Sequence, residues 1–173
     1  VSVHGIPMGV PHTRPVGMTA HATRPDLIGN ARSPFGRAQV PGSLGALLEL
    51  RLGEAGHSAA GFAIHVPQYL AASEFAAGAL SALNAVVDVT GLNLPNDDLV
   101  TRTEVNRRAI DSEMEDNEEA LAVVAAMEQQ YDAFVEGQKY ENLWADGTEI
   151  PSADQLGAEF ENFLRTFTDD DKD

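Results

Sequence analysis

A run of apolar residues from Ala59 to Val66, broken only by Gly61 and His65 and closed by Pro67, restricts the folds open to this chain more than any other feature. A segment this short, with no polar alternation, has the pattern of a strand buried on both faces in a parallel sheet covered by helices. Its neighbours fit that frame. Val1 to Met8 is an apolar stretch that enters Pro11-His12-Thr13-Arg14-Pro15, where two prolines fix φ and block regular helix, so it reads as a strand followed by an ordered loop. Val16, Met18, Ala20 and Ala22 alternate with Gly17, Thr19, His21 and Thr23, giving a second strand with one polar face. The breakers Pro25, Gly29, Asn30, Pro34 and Gly36 make Arg24 to Arg37 a loop.

Two helices lie between and after these strands. In Pro41-Gly42-Ser43 the serine stands as an N-cap, and Leu44, Leu47, Leu48 and Leu52 repeat at helical spacing until Gly56. Ser73 then opens a helix carrying Phe75, Ala79, Leu83, Val86 and Val87, ended by Gly91. Strand and helix in this order predict an α/β layer architecture, a sheet flanked by helices with right-handed crossovers.

After Leu94-Pro95-Asn96 the composition changes. No proline follows until Pro151, and charged residues surround sparse apolar positions. Leu99, Ile110 and Met114 mark one helix, and Leu121, Val124, Met127, Tyr131 and Phe134 mark another. Asp116 with Glu119 three residues on resembles a capping box, which predicts a break near Asp116-Asn117 and an acidic helical hairpin; one continuous helix is the alternative. A loop holding Trp144 leads to the capping box Ser152-Ala153-Asp154-Gln155 and a last helix with Leu156, Phe160, Phe163, Leu164 and Phe167 on one side. The expected organisation is thus residues 1–93 as the C-terminal part of an α/β domain and 94–138 as the hairpin. Residues 139–168 follow as loop and last helix, and 169–173 as a disordered acidic tail. Val1 to Val3 already read like the inside of a strand, so an N-terminal part is expected to be missing.

Charge narrows the partners. The net charge of -16 falls entirely on residues 91–173, which hold twenty-two acids against six bases. Such a segment repels nucleic acid and anionic membrane surfaces, so neither is an expected partner. No stretch approaches the roughly 20 apolar residues of a membrane helix, and no basic-then-apolar leader opens the sequence. With no cysteine in the chain, disulfides, thiolate catalysis and sulfur-bound zinc are excluded, which fits a cytoplasmic setting. The apolar sides of the acidic helices must be covered by their own domain or by another chain. A protein partner or self-association through these C-terminal helices, as a homo-oligomer, is the corresponding expectation.

The densest polar cluster is His12-Thr13-Arg14 at a strand's end, where ligands of open α/β sheets gather. A histidine that titrates near neutrality beside a guanidinium suits an anionic group. The structural alternative is that Arg14 pairs with a carboxylate or carbonyls and pins the loop. Were the second strand a parallel neighbour of the buried one, His12, His21, His65 and Tyr69 would converge into a candidate pocket for acid/base chemistry. Ser43 adds a hydroxyl where a strand meets a helix, but Val40-Pro41-Gly42-Ser43-Leu44-Gly45 lacks the Gly-x-Ser-x-Gly elbow, and capping is its simpler role. The histidines lack metal-ligand spacing, residues 1–138 contain no lysine for a phosphate loop, and no metal or cofactor is implied. No catalytic residue can be assigned.

Several segments together carry a family likeness. Gly5-Ile6-Pro7 leading to Pro11-His12-Thr13-Arg14-Pro15, the Val40-Pro41-Gly42 turn, His65-Val66-Pro67-Gln68-Tyr69-Leu70 and Glu128-Gln129-Gln130-Tyr131-Asp132-Ala133-Phe134 resemble the actinobacterial branch of the proteasome assembly chaperone 2 family. The resemblance runs from Val3 to about Leu164 and implies an α/β fold similar to nucleoside phosphorylases and hydrolases. It implies a family whose eukaryotic members help assemble proteasome α-rings, and it transfers no catalytic residues. The leading expectation is therefore a non-enzymatic interaction or assembly-chaperone role. The alternative is a phosphorylase-like or hydrolase-like enzyme acting on an anionic small molecule.

Overall fold

The computed structural model describes residues 1–29 and 41–145. Three strands, β1 (Ser2–Met8), β2 (Met18–Ala22) and β3 (Ala60–Pro67), form one mixed sheet in the order β1-β3-β2. The apolar run predicted to be doubly buried is the central strand, and all but one of its residues are buried. β1 pairs with β3 in parallel, with Ser2 opposite Gly61 and Ile6 opposite His65. β2 corrects the all-parallel expectation: it runs antiparallel to β3, with Met18 opposite Ile64, Ala20 opposite Phe62 and Ala22 opposite Ala60. The β1-to-β2 connection, residues 9–17, is shorter than the dozen or more residues of a parallel crossover, which fits an antiparallel β2.

Among the described residues there are four α-helices, in chain order α1 (Leu44–Glu54), α2 (Ala76–Thr90), α3 (Asp97–Glu115) and α4 (Glu118–Ala145). α2 covers one face of the sheet. Ala20, Ala60, Phe62, Ile64 and Ala85 form the buried core there, with Val16, Met18, Ala82 and Val89 packed around it. Gly78 leaves room for the ring of Phe75 at the start of α2, which a Cβ there would meet at 2.8 Å, while Ile64 of the sheet would lie at an ordinary contact distance of 3.6 Å. Gly91 ends α2 in the left-handed region at φ 68°, where glycine carries no steric penalty.

The start of α2 differs from expectation. Ser73 does not cap it; the helix begins at Ala76, and Asn106 of α3 accepts the Ala76 N–H at 3.0 Å while donating to the Glu74 carbonyl at 3.2 Å. A tertiary side chain thus does the work that a local cap would do. Beside it, Arg102 donates to both carboxylate oxygens of Glu74 at 2.5 and 3.1 Å and holds that carboxylate below its usual range. α3 is fastened along α2 by these bonds.

The helical break falls at Asp116-Asn117, and the cap is Asn117 rather than Asp116. Its side chain accepts the Ala120 N–H at 3.0 Å, while Asp116 closes α3. α4 continues past 138, where the sequence suggested a loop, to Ala145. α1 is the clearest departure from its amphipathic pattern: none of its residues is buried, and Leu44 and Leu48 are 82% and 58% exposed. Two compact units divide the chain, Val1–Tyr131 and a second beginning at Asp132. The expected last helix with Leu156 and Phe160, and the acidic tail, lie outside the described residues. Among the described residues, no helix is long and apolar enough to cross a membrane.

Candidate functional site

The loop after β1 is the polar centre of the first unit. Pro11 and His12 are buried, and the side chains that follow reach in turn to α3 and α4. The His12 backbone N–H donates to the Tyr69 hydroxyl at 2.8 Å, and His12 Nδ1 lies 2.8 Å from the same oxygen. On its other side, His12 Nε2 lies 3.0 Å from Oδ1 of Asp111 on α3. Tyr69 sits in the 3-10 turn Gln68–Leu70 that Pro67 starts at the end of β3, with its ring edge-on to His12.

The direction of these bonds follows from acidity. Burial pushes the Tyr69 hydroxyl up; the His12 backbone N–H pulls it partly back, and the nearby Glu128 charge pushes it up again. A protonated phenol that already accepts the backbone N–H gives its own proton to Nδ1. In that arrangement the ring proton on Nε2 faces Asp111. The side chain of His12 is 3% exposed and that of Asp111 49%, so the series runs from the interior to the surface.

The rest of the loop binds α4. The Thr13 hydroxyl and the Arg14 Nη1, the latter at 3.1 Å, both donate to Oε1 of Glu128, and the Tyr131 hydroxyl donates to the Pro15 carbonyl at 3.2 Å. Arg14 thus meets a carboxylate of its own chain, as the structural alternative anticipated. Asp111 and Glu128 had not been singled out as site residues. A usable signal was present for Glu128, a carboxylate in the stripe Val124-Glu128-Tyr131 of an otherwise acid-outside helix.

His12, Arg14 and Tyr69 are therefore brought to one end of the sheet. His65, His21 and Ser43 are not joined to them by the same bonds. His65 lies on the face of β3 away from α2, where its Nε2 meets the Thr19 hydroxyl at 2.9 Å and its ring covers Gly17. A Cβ on Gly17 would stand 2.6 Å from His65 Nδ1. Burial pushes the His65 imidazole below its usual range. His21 stands opposite Gly61, at the start of β3, because β2 runs antiparallel; its ring covers that glycine and its Nδ1 lies 2.9 and 2.8 Å from the two carboxylate oxygens of Glu49 on α1. Ser43 caps α1, accepting the Ala46 N–H at 3.1 Å. The expected convergence of His12, His21, His65 and Tyr69 fails because the antiparallel strand sends His21 toward the opposite end of the sheet from Tyr69. Among the described residues no group of three metal-ligating side chains occurs.

A mixed sheet with α2 on one face, and a proline-bracketed loop at its end fastened to two acidic helices, defines a small α/β protein with helical additions. The family model described as the PAC2 family matches residues 1–114, and the chain belongs to that family. Among solved structures it is similar to a protein of unknown function from Mycobacterium tuberculosis, at 39% identity and a TM-score of 0.78, covering 82% of this chain and 48% of that one. It is also similar to a protein of unknown function from Corynebacterium glutamicum, at 38% identity and a TM-score of 0.73, covering 78% and 50%. A Mycobacterium tuberculosis proteasome-assembly chaperone homologue shares the fold at 23% identity and a TM-score of 0.62, over 70% of this chain and 52% of that one. The chain spans about half the length of these solved relatives. No curated protein matches it. The wider likeness to phosphorylases and hydrolases rests on the resemblance alone.

Proposed function

We propose that this chain works through protein–protein contact, as an interaction or assembly factor of the cytoplasm rather than as an enzyme. The observation that carries this reading is α1, whose Leu44, Leu47 and Leu48 share one side of the helix and are 82%, 49% and 58% exposed. Exposed leucines grouped at i, i+3 and i+4 cost solubility and are characteristic of contact surfaces. Val105, Leu121 and Val123 on α3 and α4, at 62%, 46% and 45%, extend the reading to self-association through the acidic helices. The fold shared with a protein named as a proteasome-assembly chaperone homologue supports the choice of proteasome subunits as the first partner to test.

The test is gel filtration with light scattering, alone and with proteasome subunits of the same organism. The wild-type chain is expected to self-associate or to co-elute with them, and Leu44→Lys with Leu48→Lys to lose that contact while circular dichroism is unchanged. A monomeric mass together with no co-elution overturns the reading.

One observation favours a small-molecule site instead. The Tyr69–His12–Asp111 series has the order of a proton relay and ends on a half-exposed carboxylate. An anion at Arg14 would have to compete with Glu128. Phosphate or nucleosides would then raise the melting temperature, and Arg14→Ala would abolish the rise. No rise with the wild-type chain removes this second reading.

A further inference from the structure

The outer side of α1 is apolar at one end and charged but neutral at the other. Leu44, Leu47 and Leu48 stand open, and beyond them Arg51 donates to Glu54 at 2.7 Å, with both of those side chains more than half exposed. The third ionisable group of the helix, Glu49, is turned to His21 on the sheet. α1 therefore presents no net charge outward. A second copy of this chain carries the same net charge of -16, all of it on residues 91–173. Two such copies meet at low electrostatic cost where neither turns a net charge toward the other.

We propose that α1 joins two copies of this chain, its leucines laid antiparallel on those of the partner about a two-fold axis between Leu47 and Leu48. A two-fold contact needs a patch complementary to itself, and the antiparallel direction supplies one. It sets Leu47 against the partner's Leu48, and the reverse. It also carries the partner's Glu54 to the N-terminus of α1, whose first turn holds no acidic residue. The helix dipole favours a carboxylate there. A parallel pair would instead stack Arg51 on Arg51 and Glu54 on Glu54. The 11 residues of α1 make a rod about 16 Å long and about 10 Å across, which offers far less than the roughly 800 Å² per partner of a stable dimer. The pair accordingly forms and parts with concentration. The proposal rests on the reading of α1 as a contact surface and names what fills it.

Sedimentation velocity from about 10 µM to about 1 mM chain is expected to show a monomer–dimer equilibrium. Leu48→Lys is expected to weaken it about tenfold or more, with circular dichroism unchanged. Because the chain has no cysteine, Ala55→Cys carries one nitroxide per copy at the end of α1. The antiparallel pair separates the two labelled positions by about 25 Å in double electron–electron resonance, and a parallel pair by about 10 Å. A monomer throughout that range overturns the proposal, as does a dimer that folded Leu48→Lys leaves unchanged, or a separation near the parallel value. If Leu48→Lys does not fold, the label separation in the chain with its leucines intact decides. A monomer that co-elutes with proteasome subunits removes the two-fold pair and leaves the contact reading standing.

Discussion

On the side of the sheet that meets α2, Ala20, Phe62 and Ile64 lie against Ala85, whereas on the other side His65 and His21 lie across Gly17 and Gly61. The first face is held by burial, which has no preferred direction and grows with apolar area. The second is held by flat rings laid on glycines directly opposite, with Thr19 bonded to the His65 ring and Glu49 to the His21 ring. The same strand, β3, therefore supplies a packing surface and a shape-restricted polar surface, separated by the alternation of its side chains.

The largest expected effect lies on the packing face. Phe62→Ala is expected to lower stability by about 3–5 kcal/mol, read from the urea midpoint, because Phe62 is 4% exposed and its removal leaves a cavity beneath α2. A loss under about 1 kcal/mol would mean that the two faces are not so different.

A glycine pair sharpens the contrast. Gly17→Ala meets the His65 ring, which is buried and bonded to Thr19, so a loss of about 1–3 kcal/mol is expected. Gly61→Ala also meets the His21 ring, but that side chain is 44% exposed and swings into solvent, so the loss is expected to stay below about 1 kcal/mol. Equal losses would remove ring freedom as the explanation.

The smallest effect is a slope with pH. With the folded His65 held below its ordinary value of 6.5 by burial, the unfolded chain binds more protons as the pH falls through that value. The contribution of neutral His65 is therefore intact above about pH 6.5 and is lost as the pH drops toward the lowered folded value. His65→Gln is expected to flatten that part of the stability–pH curve, measured as urea midpoints at successive pH values. An unaltered curve would show that the ring titrates alike in both states.

Much of the architecture was legible because it rests on local rules. The doubly buried β3, the Ser43 cap, the Gly91 stop and the Asp116-Asn117 break each follow from residues within a few positions of one another. What was illegible depended on distant partners. Asn106 caps a helix that starts thirty positions earlier, so Ser73 looked like the cap. The direction of β2 is set by how the chain folds back after Pro15, and a period of two is the same for parallel and antiparallel strands. For the candidate site, the cluster His12-Thr13-Arg14 was visible, yet its partners Asp111 and Glu128 were two among twenty-seven acids. The leucines of α1 follow helical spacing, but spacing alone does not say whether anything covers them.

The two prolines that bracket His12-Thr13-Arg14 have a kinetic consequence. They restrict the segment before any helix reaches it, so its donors are largely arranged once β1 and β3 pair. Their acceptors arrive from far along the chain, with sequence separations of 99 for Asp111 and 114 for Glu128 on Arg14. Contacts of such long range carry the larger loop-closure cost and are expected to close after the sheet has formed. Loosening them would then hasten unfolding and leave the rate of folding nearly untouched.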